Sequence, residues 1–91
     1  MADTMGINLL VGGSESDYKA LMLILARHGW SCKNVRQSPY ALSLHVNVPR
    51  DDRTTFRDAV LIEWKEKNAS KQAHVVSAAD VFDGGRNPLY W

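Results

Sequence analysis

The chain has 91 residues, with 11 Lys and Arg against 10 Asp and Glu, one cysteine and a 45% hydrophobic share. That length fits one domain over residues 1–91, with a core expected at 6–83 and an aromatic C-terminal segment at 84–91. The net charge of +1 excludes a strongly basic nucleic-acid-coating protein and an acidic tail protein, and the apolar share excludes wholesale disorder.

Residues 7–11, Ile-Asn-Leu-Leu-Val, form a short apolar run between Gly6 and Gly12-Gly13, which predicts a buried strand. Ser14-Glu15-Ser16-Asp17 has the form of a helix start. A serine N-cap accepts from free backbone N–H groups, the acids complement the positive dipole end, and Ser14 with Asp17 has capping-box spacing. The helix is expected to run to His28. Tyr18, Leu21, Met22 and Leu25, widened by Leu23, Ile24 and Ala26, give it a broad apolar face. Gly29 stands where a left-handed residue would end it. Residues 31–36 predict a weaker strand, and 37–40 a turn.

Residues 41–48 carry the cleanest pattern. Leu42, Leu44, Val46 and Val48 alternate with Ala41, Ser43, His45 and Asn47, as in a strand with one buried face and one wet or partner-covered face. Pro49 ends it. Asp51 or Asp52 is expected to cap a second helix reaching Lys67, with Phe56, Ala59, Val60 and Trp64 on its apolar stripe and Glu63 paired to Lys67. Val75 and Val76 predict a last strand, and Asp83-Gly84-Gly85 a turn. The order β-α-β-β-α-β predicts an α+β fold of ferredoxin-like type, two helices on one face of a four-stranded antiparallel sheet.

The lone Cys32 forms no disulfide within the chain, and residues 1–6 hold no basic signal-peptide region. No run approaches the ~20 apolar residues of a membrane span. A cytoplasmic protein with no membrane partner is therefore expected.

Gly12-Gly13-Ser14 follows a strand and opens a helix, a place where backbone N–H groups can hold an anion. It lacks both G-x-G-x-x-G and the P-loop string, and Glu15 and Asp17 would repel phosphate. Residues 13–17 resemble the G-S-x-S-D opening of the small carboxyaminoimidazole mutases. The similarity covers five residues, and the histidine-bearing motif expected downstream is not recognisable. The turn at 12–17, followed by Gly29-Trp30-Ser31-Cys32, is similar in layout to ACT-type regulatory domains, which take small effectors between first strand and first helix. No diagnostic string carries over, and so no site residue does; on the turn itself, Gly12, Gly13, Ser14 and Ser16 are the expected ligand-binding residues.

His28, His45 and His74 are dispersed without metal-ligand spacing, so no metal and no cofactor is expected. Asp51-Asp52 suits capping better than acid–base catalysis. Cys32 and His45 are the candidates for enzymatic chemistry, without a motif to support them, so a non-enzyme is favoured. Nucleic acid is disfavoured, because residues 41–47 place no base-stacking aromatic outward and Arg50, Arg53 and Arg57 are matched by Asp51, Asp52 and Asp58. Lys33 with Arg36 is the one local basic excess.

Aromatics and arginine dominate binding hot spots. Tyr40, His45, Arg86, Leu89, Tyr90 and Trp91 are accordingly the expected partner-binding residues. Trp64 is expected in the core and Trp30 half-buried at best. The reading that follows is a small non-catalytic protein-interaction module. It includes the special case of a virus- or mobile-element-encoded inhibitor, and a homodimer through sheet edges or the open sheet face. The alternative is an ACT-like ligand-binding regulatory domain.

Overall fold

The computed structural model describes residues 4–80. In chain order they form β1 (Thr4–Gly12), α1 (Glu15–Arg27), β2 (Ser31–Gln37) and β3 (Leu42–Pro49). A 3-10 turn (Arg50–Asp52), α2 (Arg53–Asp58), a π-helical segment (Ala59–Glu66) and β4 (His74–Asp80) follow. The sheet runs β2-β3-β1-β4 with every neighbouring pair antiparallel. Each helical connection thus carries the chain over one intervening strand.

The alternation in β3 sets which side is covered. Leu42, Leu44, Val46 and Val48 are buried, and they interleave with Met5, Ile7, Leu9 and Val11 of the neighbouring β1. Tyr18, Leu21, Ile24 and Leu25 from α1 close on that side, as do Phe56, Ala59, Val60 and Trp64 from the second helical stretch. Each large side chain removed from water there contributes about 1.5–3 kcal/mol. Both helical stretches lie on this one face.

β1 is longer than the apolar run at 7–11 suggests. Cross-strand pairing extends it, since Gly6 pairs with Asn47 and Gly12 with His74. α1 begins and ends as expected. Ser14 forms a complete capping box with Asp17, and Gly29 takes φ 78°. Its buried face is narrower than expected. Leu23 is 60% exposed and Ala26 is also exposed, because α1 meets only the sheet and the second helical stretch, and its remaining flank faces outward.

The second helix departs further from expectation. It is α-helical only to Asp58 and then widens, with the Lys67 N–H bonded to the Ile62 carbonyl at 3.1 Å. An α-turn carries residues four apart past a full rotation, whereas the wider turn brings them back short of it. The α-then-π order therefore keeps Phe56, Val60 and Trp64 in line toward the sheet. Neither Asp51 nor Asp52 caps this helix. No side-chain cap bond forms there, and the Asp52 carboxylate instead accepts from Trp30 Nε1 at 3.4 Å. Glu63 meets His28 Nε2 at 3.2 Å in place of Lys67.

Trp30 is also corrected, being buried at 6% exposure. It stacks on His28 with centroids 4.4 Å apart and meets Phe56 edge-on at 5.4 Å. The left-handed Gly29 turns the chain back so that the indole tucks under the second helical stretch. No helix among the described residues is long and apolar enough to cross a membrane.

Candidate interaction face

Polar side chains gather in two places, the β1–α1 turn and the sheet face turned away from the helices. At the turn, Asp17 is the only buried charged residue in the described core, at 4% exposure. Its Oδ2 accepts from the Ser14 N–H at 2.9 Å, the Ser14 hydroxyl at 3.0 Å and the Ser70 hydroxyl at 2.7 Å, while Oδ1 accepts from the Ser70 N–H at 2.8 Å. Burial alone would raise its pKa. The backbone and hydroxyl donors of Ser14 and Ser70 outweigh burial and lower it to about 2. The Asp17 carbonyl in turn accepts from Trp64 Nε1 at 2.7 Å. One residue thus ties the start of α1 to the π-helical segment and to the loop before β4.

Gly12, Gly13, Ser14 and Ser16 lie together here, and the Ser14 donors among them are engaged within the turn. The Ser14 N–H and hydroxyl serve Asp17, and the Gly13 carbonyl accepts from the Tyr18 hydroxyl at 3.0 Å. A Cβ on Gly13 would come within 2.8 Å of Asp17 Oδ2, and one on Gly12 would collide with the His74 ring. These glycines let the backbone pass close to the carboxylate and the imidazole. Beside the turn, a cleft of about 540 Å³ is lined by Ser14, Glu15, Tyr18, Gln37, Ser38 and Pro39, with Glu15 its one charged group. Ser14→Ala is expected to cost about 1 kcal/mol, the usual worth of an N-cap, seen as a lowered urea midpoint with an unchanged m-value.

The other place is the open sheet face. Register puts Asn8 and Leu10 of β1 beside His45 and Ser43 of β3, and Ala79 and Ser77 of β4 on their other side. β2 adds Ser31 opposite Asn47, Lys33 opposite His45 and Arg36 opposite Ser43. The His45 imidazole lies between the Asn8 and Asn47 amides, at 3.2 and 3.3 Å, and the Asn47 amide donates to the Ser31 hydroxyl at 3.4 Å. A polar row thus crosses the three strands β1, β3 and β2.

This face is electrostatically one-sided. Glu15 and Asp17 are on α1, and Asp51, Asp52, Asp58, Glu63 and Glu66 lie between β3 and β4, on the helical side. Asp80 pairs with Ile7 in the β1–β4 register. No carboxylate falls at an open-face register position among the described residues. Lys33 and Arg36 do, and neither has an ion-pair partner among those residues.

Of the expected partner-binding residues, His45 sits mid-face and Tyr40 stands at the β2–β3 turn, 86% exposed. The structure does not bring the two into contact. Arg86, Leu89, Tyr90 and Trp91 lie outside the described residues. Asn8, Ser31, Arg36, Asn47 and Ser77 join the face without having been singled out as site residues. The alternation in β3 exposes Ser43, His45 and Asn47 directly, but the rest depends on pairing register. Cys32 is half-buried, and burial pushes its thiol pKa up, so it remains protonated at neutral pH and is a weak nucleophile. No group of three or more His, Cys, Asp or Glu is arranged for a metal among the described residues.

No protein-family profile, characterised protein or solved structure matches this chain. Its class is accordingly set by its own fold: a small α+β domain with two helical stretches on one side of a four-stranded antiparallel sheet and a polar, cationic opposite side.

Proposed function

We propose that this chain is a small non-catalytic protein-interaction module of ferredoxin-like architecture, acting in the cytoplasm and docking through the open face of its sheet. The strand order β2-β3-β1-β4, with each helical crossover straddling a strand, supports the architecture. The observation that carries the docking reading is the charge pattern. Lys33 and Arg36 share a face with His45, Asn8, Asn47, Ser43 and Ser77, and no acid at a described position on that face answers them. Tyr40, the one exposed aromatic among the described residues, stands at the turn joining the two strands that supply those cations and His45. Tyrosine is enriched among the residues that carry binding energy at interfaces. An inhibitor that occludes another protein's surface is one form such a module takes.

The test is affinity capture with the full chain. Lys33→Glu with Arg36→Glu is expected to abolish capture of a partner while the circular dichroism spectrum stays native, since both side chains are exposed. Tyr40→Ala is expected to weaken capture about ten-fold. Undiminished capture by the doubly reversed variant would refute docking through this face.

A further inference from the structure

On the reading that the open sheet face is the docking surface, we infer that its partner is an acidic protein segment, and that a depression around Arg36 grips its carboxylates. β2 is irregular between Lys33 and Arg36. In a regular strand, residues three apart point to opposite faces. Lys33 and Arg36 are three apart, yet they pair with His45 and Ser43, which are two apart on β3 and share the open face. The register shift between Lys33 and Arg36 makes this possible, and within it Asn34 adopts φ 53°. Positive φ is uncommon outside glycine, and asparagine tolerates it better than most. Such bulges re-aim side chains. Here the irregularity aims a second cation to the same side as the first.

The re-aimed Arg36 borders a shallow depression of about 540 Å³, which Asn8, Leu10, Asn34, Ser43 and Ser77 also line. Leu10 supplies a half-buried apolar element, while the amides and hydroxyls supply neutral donors. An arginine fork matches a carboxylate with two parallel hydrogen bonds, and neutral donors beside it can serve the remaining lone pairs. Lys33, two register positions along, suits a second acid on the same partner.

Other occupants fit less well. Nucleic acid on a sheet of this kind stacks its bases on aromatic side chains, and no Phe, Tyr or Trp occupies an open-face register position among the described residues. Two cations also supply few phosphate contacts. A second copy laid face to face would set Lys33 and Arg36 against their own charges. The rest of the chain, 1–3 and 81–91, adds only Asp3, Asp83 and Arg86, too scattered in sequence to supply a run of acids.

The experiment is a titration of the isotopically labelled full chain with a decaglutamate peptide at low salt, followed by amide NMR shifts. A fifteen-residue oligothymidylate serves as the competing probe. Shifts are expected at Asn8, Arg36, Ser43 and Ser77. Arg36→Gln is expected to weaken binding about ten-fold, and Lys67→Gln, on the helical side, to leave it unchanged. Three results would overturn the inference: no shift on the open face, equal binding by Arg36→Gln, or tighter binding of the oligothymidylate, which would assign the face to nucleic acid. If decaglutamate fails while Lys33→Glu with Arg36→Glu still abolishes partner capture, the docking face stands and only the acidic chemistry falls. If capture also survives that reversal, both readings fall.

Discussion

Trp64→Ala is expected to destabilise the fold by about 4 kcal/mol, since truncating a fully buried indole removes apolar contact and leaves a cavity. Trp64 is 0% exposed, the largest of the fully buried side chains, and it also closes the hydrogen bond to the Asp17 carbonyl. Domains of this size are stable by roughly 5–15 kcal/mol, so the variant would sit near the edge of folding. A urea titration measures the loss. Trp64→Phe separates the two contributions, because it keeps much of the packing and deletes the Nε1–H donor. An additional cost of about 1 kcal/mol is expected for the carbonyl left without that partner. A midpoint for Trp64→Phe equal to wild type would show that the bond contributes nothing. A small loss for Trp64→Ala would show that the sheet and helices collapse around the gap.

Asp17→Asn is expected to cost about 2 kcal/mol at neutral pH, within the range for hydrogen bonds to a charged group. The geometry makes the amide a poor replacement. Both carboxylate oxygens accept a backbone N–H, from Ser14 on one side and Ser70 on the other. An amide must turn its own NH2 toward one of those donors. Protonation of wild type has a related effect. The Asp17 pKa falls from the ordinary 3.8 to about 2 in the folded chain. A lowered folded pKa means stability that is present in full above the unfolded value and is lost as pH falls through the folded one. Wild type should therefore lose this stabilisation between about pH 4 and pH 2, and Asp17→Asn should lack that part of its acid sensitivity. Urea midpoints of both proteins across that range are expected to converge toward the acid end. Parallel profiles would show that Asp17 is not the group responsible.

The expected acid response also bears on the choice between the two polar regions. The β1–α1 turn has the sequence features of a ligand site, and its Ser14 donors hold Asp17 in place. The open face has no recognisable motif, but its cations are left without acidic partners among the described residues. A motif therefore marked the structural clasp, while the better docking candidate carried none. Ser14 and Asp17 are three residues apart, so half of the clasp was visible as a capping box. Ser70 lies 53 positions further on, and nothing in its neighbours announces the contact.

The sequence by itself determined the order of elements, the serine cap and glycine stop of α1, and the inward face of β3. These depend on periodicity and on groups within about one turn of each other, which chain order preserves. The composition was equally legible there: a near-cancelling charge, with Lys33 and Arg36 as the one basic spot. Tertiary structure alone decided the strand order, the burial of Trp30, the capture of Asp52 by its indole and the widening of the second helix. It also decided that Lys33 and Arg36 share a face, because a bulge at Asn34 reverses the parity that their spacing implies. Apart from the helix widening, each of these is a contact or a register between segments distant in the chain. Such contacts are selected by how the layers pack, and adjacent residues leave no periodic trace of them. The charge balance read at the outset is thus a sum over two unlike sides, a helical side that holds acids and bases together and a sheet face that holds bases alone among the described residues.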